Sequence, residues 1–311
     1  MDIATAKEII DCLPKERTLL RYFKDAYAVD LLKRYLHRKG KQKVSALRQS
    51  TYGKLLHRPI FCDLLAKLGN GALTVTELQS LWPESIEYYV LTLGIWGHNH
   101  AYGYEQVSRP GANLVLQVNF SNQHDEAYRR NIIDDFDEFQ YSGHPISERR
   151  CTMAWARIDL DWQTGEALIE EVQTDWLRDI KWLYRRRDAV LKHKKRGFLL
   201  QGKKVYLDRL EVYLAEIAKH QAIWSEVSLN AAINFIADEL GITSIYYHSF
   251  ETGAVLKHLH YSKPPRSLYT DLPRKFCFQA VQQGPSFIAN NKKAKRRLKA
   301  IKNPSWFAMS A

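Results

Sequence analysis

Residues 168–176 read LIEEVQTDW, in which an apolar stretch ends in carboxylate and amide side chains. Alternate side chains of a strand share one face, so Glu171 and Gln173 are expected to lie together. Asp175 then lies just beyond them, while Glu170 points to the opposite face. The end of this predicted strand is therefore the first candidate for a functional site.

A short turn, QTG (163–165), connects this strand to a preceding one, and its glycine supplies the positive φ that such a turn needs. Asp159 and Asp161 lie on the preceding strand and are expected to approach the edge that carries Glu171. Clustered carboxylates can hold a hard cation such as Mg²⁺ or Mn²⁺, because each oxygen replaces a water of hydration. The predicted site consists of Asp161, Glu171, Gln173 and Asp175, with Asp161 and Glu171 as the metal ligands.

A hairpin with Asp on one strand and Glu-x-Lys on the next is typical of metal-dependent nucleases of the PD-(D/E)xK type, and this hairpin resembles it. In that family the acids hold the metal and the Lys helps to activate water. The matching residues are Asp161, Glu171 and Gln173, so a glutamine stands where the family has its lysine. The resemblance implies a degenerate metal-dependent phosphodiesterase site. A second metal interpretation, the pair His98 and His100, has no third ligand at a recognisable spacing.

The segment from Ser225 to Tyr261 resembles the second half of GNAT-type acyltransferases, and the resemblance extends over about residues 166–281. It implies that the strand at 166–173 lies beside the strand at 242–248. It also implies acetyl-CoA as the cofactor and Tyr261 as the general acid that protonates the leaving thiolate. The family opens the helix after the first of these strands with a glycine-rich phosphate-binding loop, and here a basic insertion follows instead.

The letters E-V-Q-T-D-W also resemble a domain of large multidomain proteins of phages and mobile elements, over roughly residues 166–275. That resemblance implies that Glu171, Gln173, Asp175 and Trp176 act as a unit in a nucleic-acid setting. A purely architectural interpretation is equally open. In it, Asp175 caps the following helix, Trp176 packs against the first turn of that helix, and Glu171 and Gln173 pair with Arg157 or with the basic insertion.

The net charge of +12 is concentrated in two segments. Residues 181–204 contain ten Lys or Arg and one Asp, and residues 292–302 contain seven Lys or Arg and no acid. Clustered cations release counterions when they meet a polyanion, which favours contact with nucleic acid without sequence specificity. Solvated basic surfaces remain the alternative. The predicted contacts are Arg185, Arg186, Arg187, Lys194, Lys195, Arg196, Lys292, Lys293, Arg296 and Arg297.

The hydrophobic pattern predicts how these residues are positioned. Alternating apolar residues predict strands at 113–120, 152–162, 166–173, 242–248 and 274–281, and three- and four-residue steps predict helices at 205–221 and 225–240. The expected fold is α+β, with a helical domain (1–93), a linker (94–112), a mixed-sheet domain (113–288) that carries a basic insertion (177–204), and a basic tail (289–311).

Four scattered cysteines without a CxxC pair fit a reducing compartment, and no apolar run has the length of a membrane span. No basic region followed by an apolar block begins the chain, so a secretory signal is not expected. We expect a cytoplasmic protein of bacterial or phage type that contacts nucleic acid and has no membrane partner. Whether it is an enzyme stays open. The alternatives are a GNAT-like acyltransferase and a non-catalytic adaptor that binds a protein through its N-terminal helices.

Overall fold

The computed structural model describes residues 1–13, 18–81, 83, 85–97, 106–133, 139–141, 143–259 and 264–311. The strands are β1 (Thr18–Tyr22), β2 (Gln42–Lys43), β3 (Ala72–Leu73), β4 (Glu87–Trp96), β5 (Asn113–Asn119), β6 (Thr152–Asp161), β7 (Glu166–Gln173), β8 (Gly197–Leu200), β9 (Lys203–Tyr206), β10 (Ser244–His248), β11 (Gln279–Val281) and β12 (Trp306–Ser310). The α-helices are α1 (Ile3–Cys12), α2 (Ala26–Lys39), α3 (Val44–Gln49), α4 (Cys62–Leu68), α5 (Val75–Gln79), α6 (Asn122–Asn131), α7 (Trp176–Lys192), α8 (Leu207–Asn234), α9 (Phe250–Leu256), α10 (Ser267–Lys275), α11 (Ser286–Ala289) and α12 (Lys292–Leu298).

A central mixed sheet organises the molecule. Within the described residues its order is β1-β4-β5-β6-β7-β10-β12-β11. Neighbouring strands are antiparallel except β7 and β10, which are parallel. A parallel neighbour requires a crossover connection, and the segment with α7, the β8–β9 hairpin and α8 provides it. The prediction that the strand at 166–173 lies beside the strand at 242–248 is confirmed.

Hydrophobic clusters cover both faces of this sheet, because successive residues of a strand point to opposite sides. Ala167 and Ile169 of β7 belong to a large cluster with side chains from α7 and α8. Leu168, which lies between them, packs instead in a smaller cluster with Leu256 and Trp306. Helices α7 and α8 therefore lie on one face of the sheet, whereas α9, α11 and α12 contribute to the other.

The predicted α+β class with a mixed sheet is confirmed, as are the strands predicted around 113–120, 152–162 and 166–173. The helical interpretation of residues 1–93 was wrong at residues 18–22 and 87–93, which lie in strands β1 and β4 of the central sheet, and β4 continues to Trp96 within the predicted linker. Leu20 and Phe23 mimic a three-residue helical step, but residues 18–22 pair with β4. Side chains from before and after residue 93 also share one hydrophobic cluster.

Two further predictions were wrong in the C-terminal half. The helices predicted at 205–221 and 225–240 are not separate, because α8 continues through Ser225 as one helix of 28 residues. Residues 274–281 are not one strand, since 267–275 is helical and only 279–281 pairs in the sheet. The expected basic tail contains α12 and then β12, which inserts between β10 and β11. Of the helices in the described residues, none is long and apolar enough to cross a bilayer.

Strand β7 contains an irregularity that positions the candidate site. Arg157 lies opposite Glu171 and Ile158 lies opposite Ile169, so Glu170 is an extra residue that forms a β-bulge. On the other edge of β7, the parallel pairing with β10 ends at Ile169. Beyond Ile169 no strand of the described residues pairs with this edge, and the Glu170 carbonyl accepts its hydrogen bond from the side chain of Lys257.

Candidate functional site

Glu171 lies in a buried ion cluster at the end of β7. Its Oε1 accepts a hydrogen bond from Arg157 Nε at 2.7 Å, and its Oε2 accepts one from Lys257 Nζ at 3.0 Å. The side chains of Arg157 and Lys257 are almost completely buried. Burial alone would raise the pKa of Glu171, but the charges of Arg157 and Lys257 hold it well below its usual value. Both oxygens of this carboxylate are therefore engaged by cations.

Glu170, the bulge residue, is also buried and has a different set of partners. Its carboxylate accepts hydrogen bonds from the Ser108 amide at 3.1 Å and the Ser108 hydroxyl at 2.7 Å, and it contacts His248 Nε2 at 3.0 Å. Burial would raise the pKa of Glu170, but the hydrogen bond with His248 and the charges of Lys257 and Arg157 lower it to about 2. Burial lowers the pKa of His248.

Lys257 hydrogen-bonds β7 at the point where its pairing with β10 has ended. Its ammonium donates to the Glu170 carbonyl at 3.0 Å, to Glu171, and to the Tyr269 hydroxyl at 2.9 Å. Burial lowers the pKa of Lys257, and the charge of Glu171 opposes that effect. The two glutamates and the two cations Arg157 and Lys257 balance in charge, so the cluster is internally neutral.

The structure does not bring Asp161 and Glu171 together. Asp161 pairs with Glu166 at the opposite end of the hairpin, and its Oδ1 accepts a hydrogen bond from the Gln163 amide at 2.9 Å. Glu166 and Glu171 are separated by about 16 Å at the rise of a strand. The expected metal pair was therefore wrong in geometry, because the partner strand runs antiparallel and carries Asp161 away from residues 171–176 (EVQTDW), which we call the box. The described part of the chain contains no cluster of three or more His, Cys, Asp or Glu side chains that could hold a metal.

Gln173 and Asp175 lie at the end of the box. Gln173 is opposite Trp155 and is half-buried, and its side-chain amide makes no hydrogen bond with another described residue. Asp175 is buried and contacts His144 Nδ1 at 2.5 Å and Arg178 at 2.9 Å. The expected side-chain cap by Asp175 is not formed.

The side chain of Thr174, rather than that of Asp175, caps the start of α7. Its hydroxyl accepts a hydrogen bond from the Leu177 amide at 3.1 Å and donates one to the Met153 carbonyl at 2.5 Å. Trp176 is buried, and its indole Nε1 donates to the Tyr213 hydroxyl at 2.9 Å. Much of the box is therefore architectural, while Gln173 keeps an amide available to a ligand.

A cleft of about 440 Å³ lies at this end of β7. Its floor consists of buried side chains, including Glu171 and Tyr269, and its rim carries the exposed cations Arg178 and Lys181. The half-buried ring of Trp224 forms part of one wall. The remaining lining residues are Gln106, His144, Val172, Gln173, Thr174, Leu177, Gln221, Leu259, Pro264, Pro265 and Leu268.

A stripe of cations extends from this cleft along the exposed side of α7; we call it the α7 stripe. It consists of Arg178, Lys181, Arg185 and Lys192, all exposed. At 3.6 residues per turn these positions fall within an arc of about 60° and extend over about 21 Å. Arg178 pairs with Asp175 and Asp179. The other three make no ion pair with a described residue.

Arg186 and Arg187, the basic residues next to the α7 stripe, have partners of their own. The Arg186 guanidinium lies 4.8 Å from the ring centroid of Trp182, and Arg187 pairs with Asp188 at 2.8 Å. The α7 stripe then continues into an exposed basic segment that leads to the β8–β9 hairpin. That segment contains Lys194, Lys195 and Arg196, and the hairpin adds Lys203 and Lys204.

The second basic group lies on the other face of the sheet. Lys292, Lys293, Arg296 and Arg297 belong to α12, whose Ala294 packs with Leu256. Arg297 donates to the Leu256 carbonyl at 2.7 Å, while the other three are exposed. The two predicted basic segments therefore do not form one continuous surface.

Sequence reasoning missed Lys257, His248 and Tyr269, whose roles depend on contacts between distant segments. It also missed the α7 stripe, although the steps of three, four and seven residues are visible in the sequence. His98, His100 and Tyr261 lie outside the described residues. Comparison with models of protein families, with curated proteins and with solved structures finds no match to the chain.

Proposed function

We propose that the protein binds nucleic acid through the α7 stripe and the β8–β9 hairpin. The observation that carries this proposal is the arrangement of Lys181, Arg185 and Lys192, which share one helix face and make no ion pair with a described residue. Aligned cations that make no ion pair repel one another, and a bound polyanion relieves this repulsion. The polyanion also releases its own counterions when these cations take their place, which favours binding. Since the cations contact phosphates rather than base edges, binding is sequence-independent.

Aromatic rings beside these cations support nucleic acid as the polyanion. Tyr206, at the end of the hairpin, is 42% exposed, and Lys204 Nζ lies 5.1 Å from its ring centroid. Exposed rings stack on unpaired bases, and adjacent cations hold the phosphates. Unpaired bases are accessible in single strands, which makes single-stranded DNA or RNA the preferred substrate class.

The other half of the predicted function, metal-dependent cleavage of phosphodiesters, receives less support. Glu171 is held by Arg157 and Lys257, and Asp161 lies at the far end of the hairpin. A carboxylate with two cationic partners is a weak base and a poor ligand for a further cation. We therefore propose that the α7 stripe and the β8–β9 hairpin bind nucleic acid without cleaving it.

Matched charge variants test the proposal by fluorescence anisotropy with a labelled 20-nucleotide single strand. The variant Lys181→Gln/Arg185→Gln/Lys192→Gln removes two lysines and one arginine from the α7 stripe. The control Lys292→Gln/Lys293→Gln/Arg296→Gln removes the same residue types from the opposite face. We expect the first variant to bind at least about tenfold more weakly than the control, because it loses direct phosphate contacts. Equal affinities of the two variants would contradict the proposal.

The strand order supports acyl transfer as a second candidate. The antiparallel strands β1, β4, β5, β6 and β7 are followed by β10, which pairs with β7 in parallel. This pairing stops at Ile169, and the cleft lies beside that point. Of this arrangement, the neighbouring positions of β7 and β10 are what the resemblance to GNAT-type acyltransferases implies. The residues do not fit the diphosphate of CoA, however. Thr174 and Asp175 precede the helix after β7 without a glycine, and the buried Asp175 carboxylate opposes a second anion there.

A thermal-shift measurement separates the two candidates. A single strand at a concentration well above its Kd raises the melting temperature by mass action. We expect that shift with the oligonucleotide and none with acetyl-CoA. A shift with acetyl-CoA that the oligonucleotide does not produce would favour acyl transfer over nucleic-acid binding.

A further inference from the structure

We infer that the cleft at the end of β7 accepts the terminal nucleotide of a strand bound along the α7 stripe. This inference rests on the proposed nucleic-acid binding and adds where the strand ends. It concerns the end of the strand rather than its middle. It also assigns a role to Gln173, whose side-chain amide has no hydrogen-bond partner among the residues that the structure describes.

The first support is the continuity of charge from the stripe to the cleft. Arg178 and Lys181 belong to both, because they begin the α7 stripe and form the rim of the cleft. A phosphate backbone that follows Lys192, Arg185 and Lys181 is therefore led to the mouth of the cleft. The remaining cations of this surface, Lys194 to Arg196, lie at the opposite end of α7 and extend the path away from it.

The second support is the buried floor of the cleft. Its floor consists of Glu171, Val172, Thr174, Leu177 and Tyr269, all of which are buried. Behind the floor lies the ion cluster in which Lys257 bonds Glu171 and Tyr269. Among the described residues, this buried floor closes the cleft on the side of the sheet, so a strand that points into the floor ends there.

The third support is the chemistry of the lining. Trp224 offers a half-buried indole ring on which a base can stack, and stacking does not depend on base identity. The Gln173 amide has no hydrogen-bond partner among the described residues, and Gln221 uses its Oε1 to accept from Tyr184 at 3.1 Å. Two amide groups therefore remain to donate to a base or a sugar. The cleft of about 440 Å³ has the size of a pocket for a single small ligand.

A comparison of linear and covalently closed circular strands tests this inference. Both are 40-nucleotide single-stranded DNAs of the same sequence with an internal fluorophore, and affinities are measured by anisotropy with the full chain. The circle offers the same phosphates and bases but has no end. We expect the linear strand to bind about tenfold more tightly, which corresponds to one stacked terminal base. Equal affinity for both strands would overturn the inference while leaving the proposed binding along α7 intact.

Two variants assign the difference to the cleft. Gln173→Glu places a carboxylate of nearly the same shape in the cleft, and we expect it to remove the preference for the linear strand. Gln163→Glu makes the same change in the exposed QTG turn at the other end of the hairpin and should leave the preference intact. A preference that survives Gln173→Glu unchanged would contradict the assignment to this cleft. If neither strand binds, the proposed function itself fails, and that result is distinct from equal binding of both.

Discussion

Lys257 and Glu171 form a buried ion pair between segments 86 residues apart, with Nζ 3.0 Å from Oε2. The pair joins the end of α9 to the bulged part of β7, where the parallel pairing with β10 has already ended. Because Lys257 also binds the Glu170 carbonyl, it satisfies a main-chain acceptor that a neighbouring strand would otherwise satisfy. The cluster therefore fixes the end of β7 and the floor of the cleft together.

Removal of Lys257 is expected to destabilise the fold strongly. Lys257→Met leaves the Glu171 carboxylate with one cationic partner, and it removes the ammonium that donates to the Glu170 carbonyl. We expect this to lower the free energy of unfolding by about 3–5 kcal/mol. Lys219→Met serves as the control, because Lys219 is 40% exposed and pairs with Glu87 and Glu216 at the surface. That variant should lose no more than about 1 kcal/mol. Urea denaturation at pH 7 measures both, and similar losses would refute the structural role of Lys257.

The buried Glu170 carboxylate predicts how stability changes in acid. Its pKa is about 2 in the folded protein and lies below the ordinary value of 4.5, so the unfolded chain binds more protons between these pH values. The stabilisation from this group is present above about pH 4.5 and is lost as the pH falls towards 2. Glu170→Gln should therefore flatten the dependence of unfolding free energy on pH in that window. Glu211→Gln, which removes an exposed carboxylate, should leave the slope unchanged.

Thr174 is predicted to hold the junction between β7 and α7. Thr174→Val keeps the shape of the side chain but removes the hydroxyl that accepts from Leu177 and donates to Met153. The loss of a helix cap and a buried hydrogen bond should cost about 1–3 kcal/mol. Thr174→Ser retains the hydroxyl and should recover most of this stability. Thermal or urea unfolding of the two variants decides the question, and equal stability would mean that the hydroxyl contributes nothing.

The sequence allowed the β6–β7 hairpin and the strand at 166–173 to be predicted, because alternating apolar residues and the QTG turn are local signals. The bulge at Glu170 could not be predicted, since it exists only in the pairing of β7 with β6. The burial of Lys257 depends on a contact with a distant strand. Residues 18–22 form a strand because β4 pairs with them, although their apolar spacing is helical. Local patterns therefore located the box, and long-range pairing determined which of its side chains remain accessible.

Divalent cations are expected not to bind the box. Glu171 already has Arg157 and Lys257 as partners, and Asp161 lies about 16 Å along the hairpin. Mn²⁺ at millimolar concentration should therefore leave the melting temperature and the oligonucleotide affinity unchanged, and EDTA should have no effect on either. A rise in melting temperature with Mn²⁺ that disappears in Asp161→Asn would restore the metal interpretation of the hairpin.

The orientation of each arginine on α7 predicts its effect on the salt dependence of binding. Arg185 belongs to the α7 stripe and makes no ion pair with a described residue, whereas Arg187 points about 160° away around the helix and pairs with Asp188. Each phosphate contact to a single strand contributes about 0.7 to the slope of log K against log salt. Arg185→Gln should therefore reduce the slope by about that amount, and Arg187→Gln should leave it nearly unchanged. Anisotropy titrations at four salt concentrations measure both slopes on the same helix with the same substitution. Equal reductions would mean that net charge, rather than the α7 stripe, governs binding, because both variants remove one positive charge from the same helix.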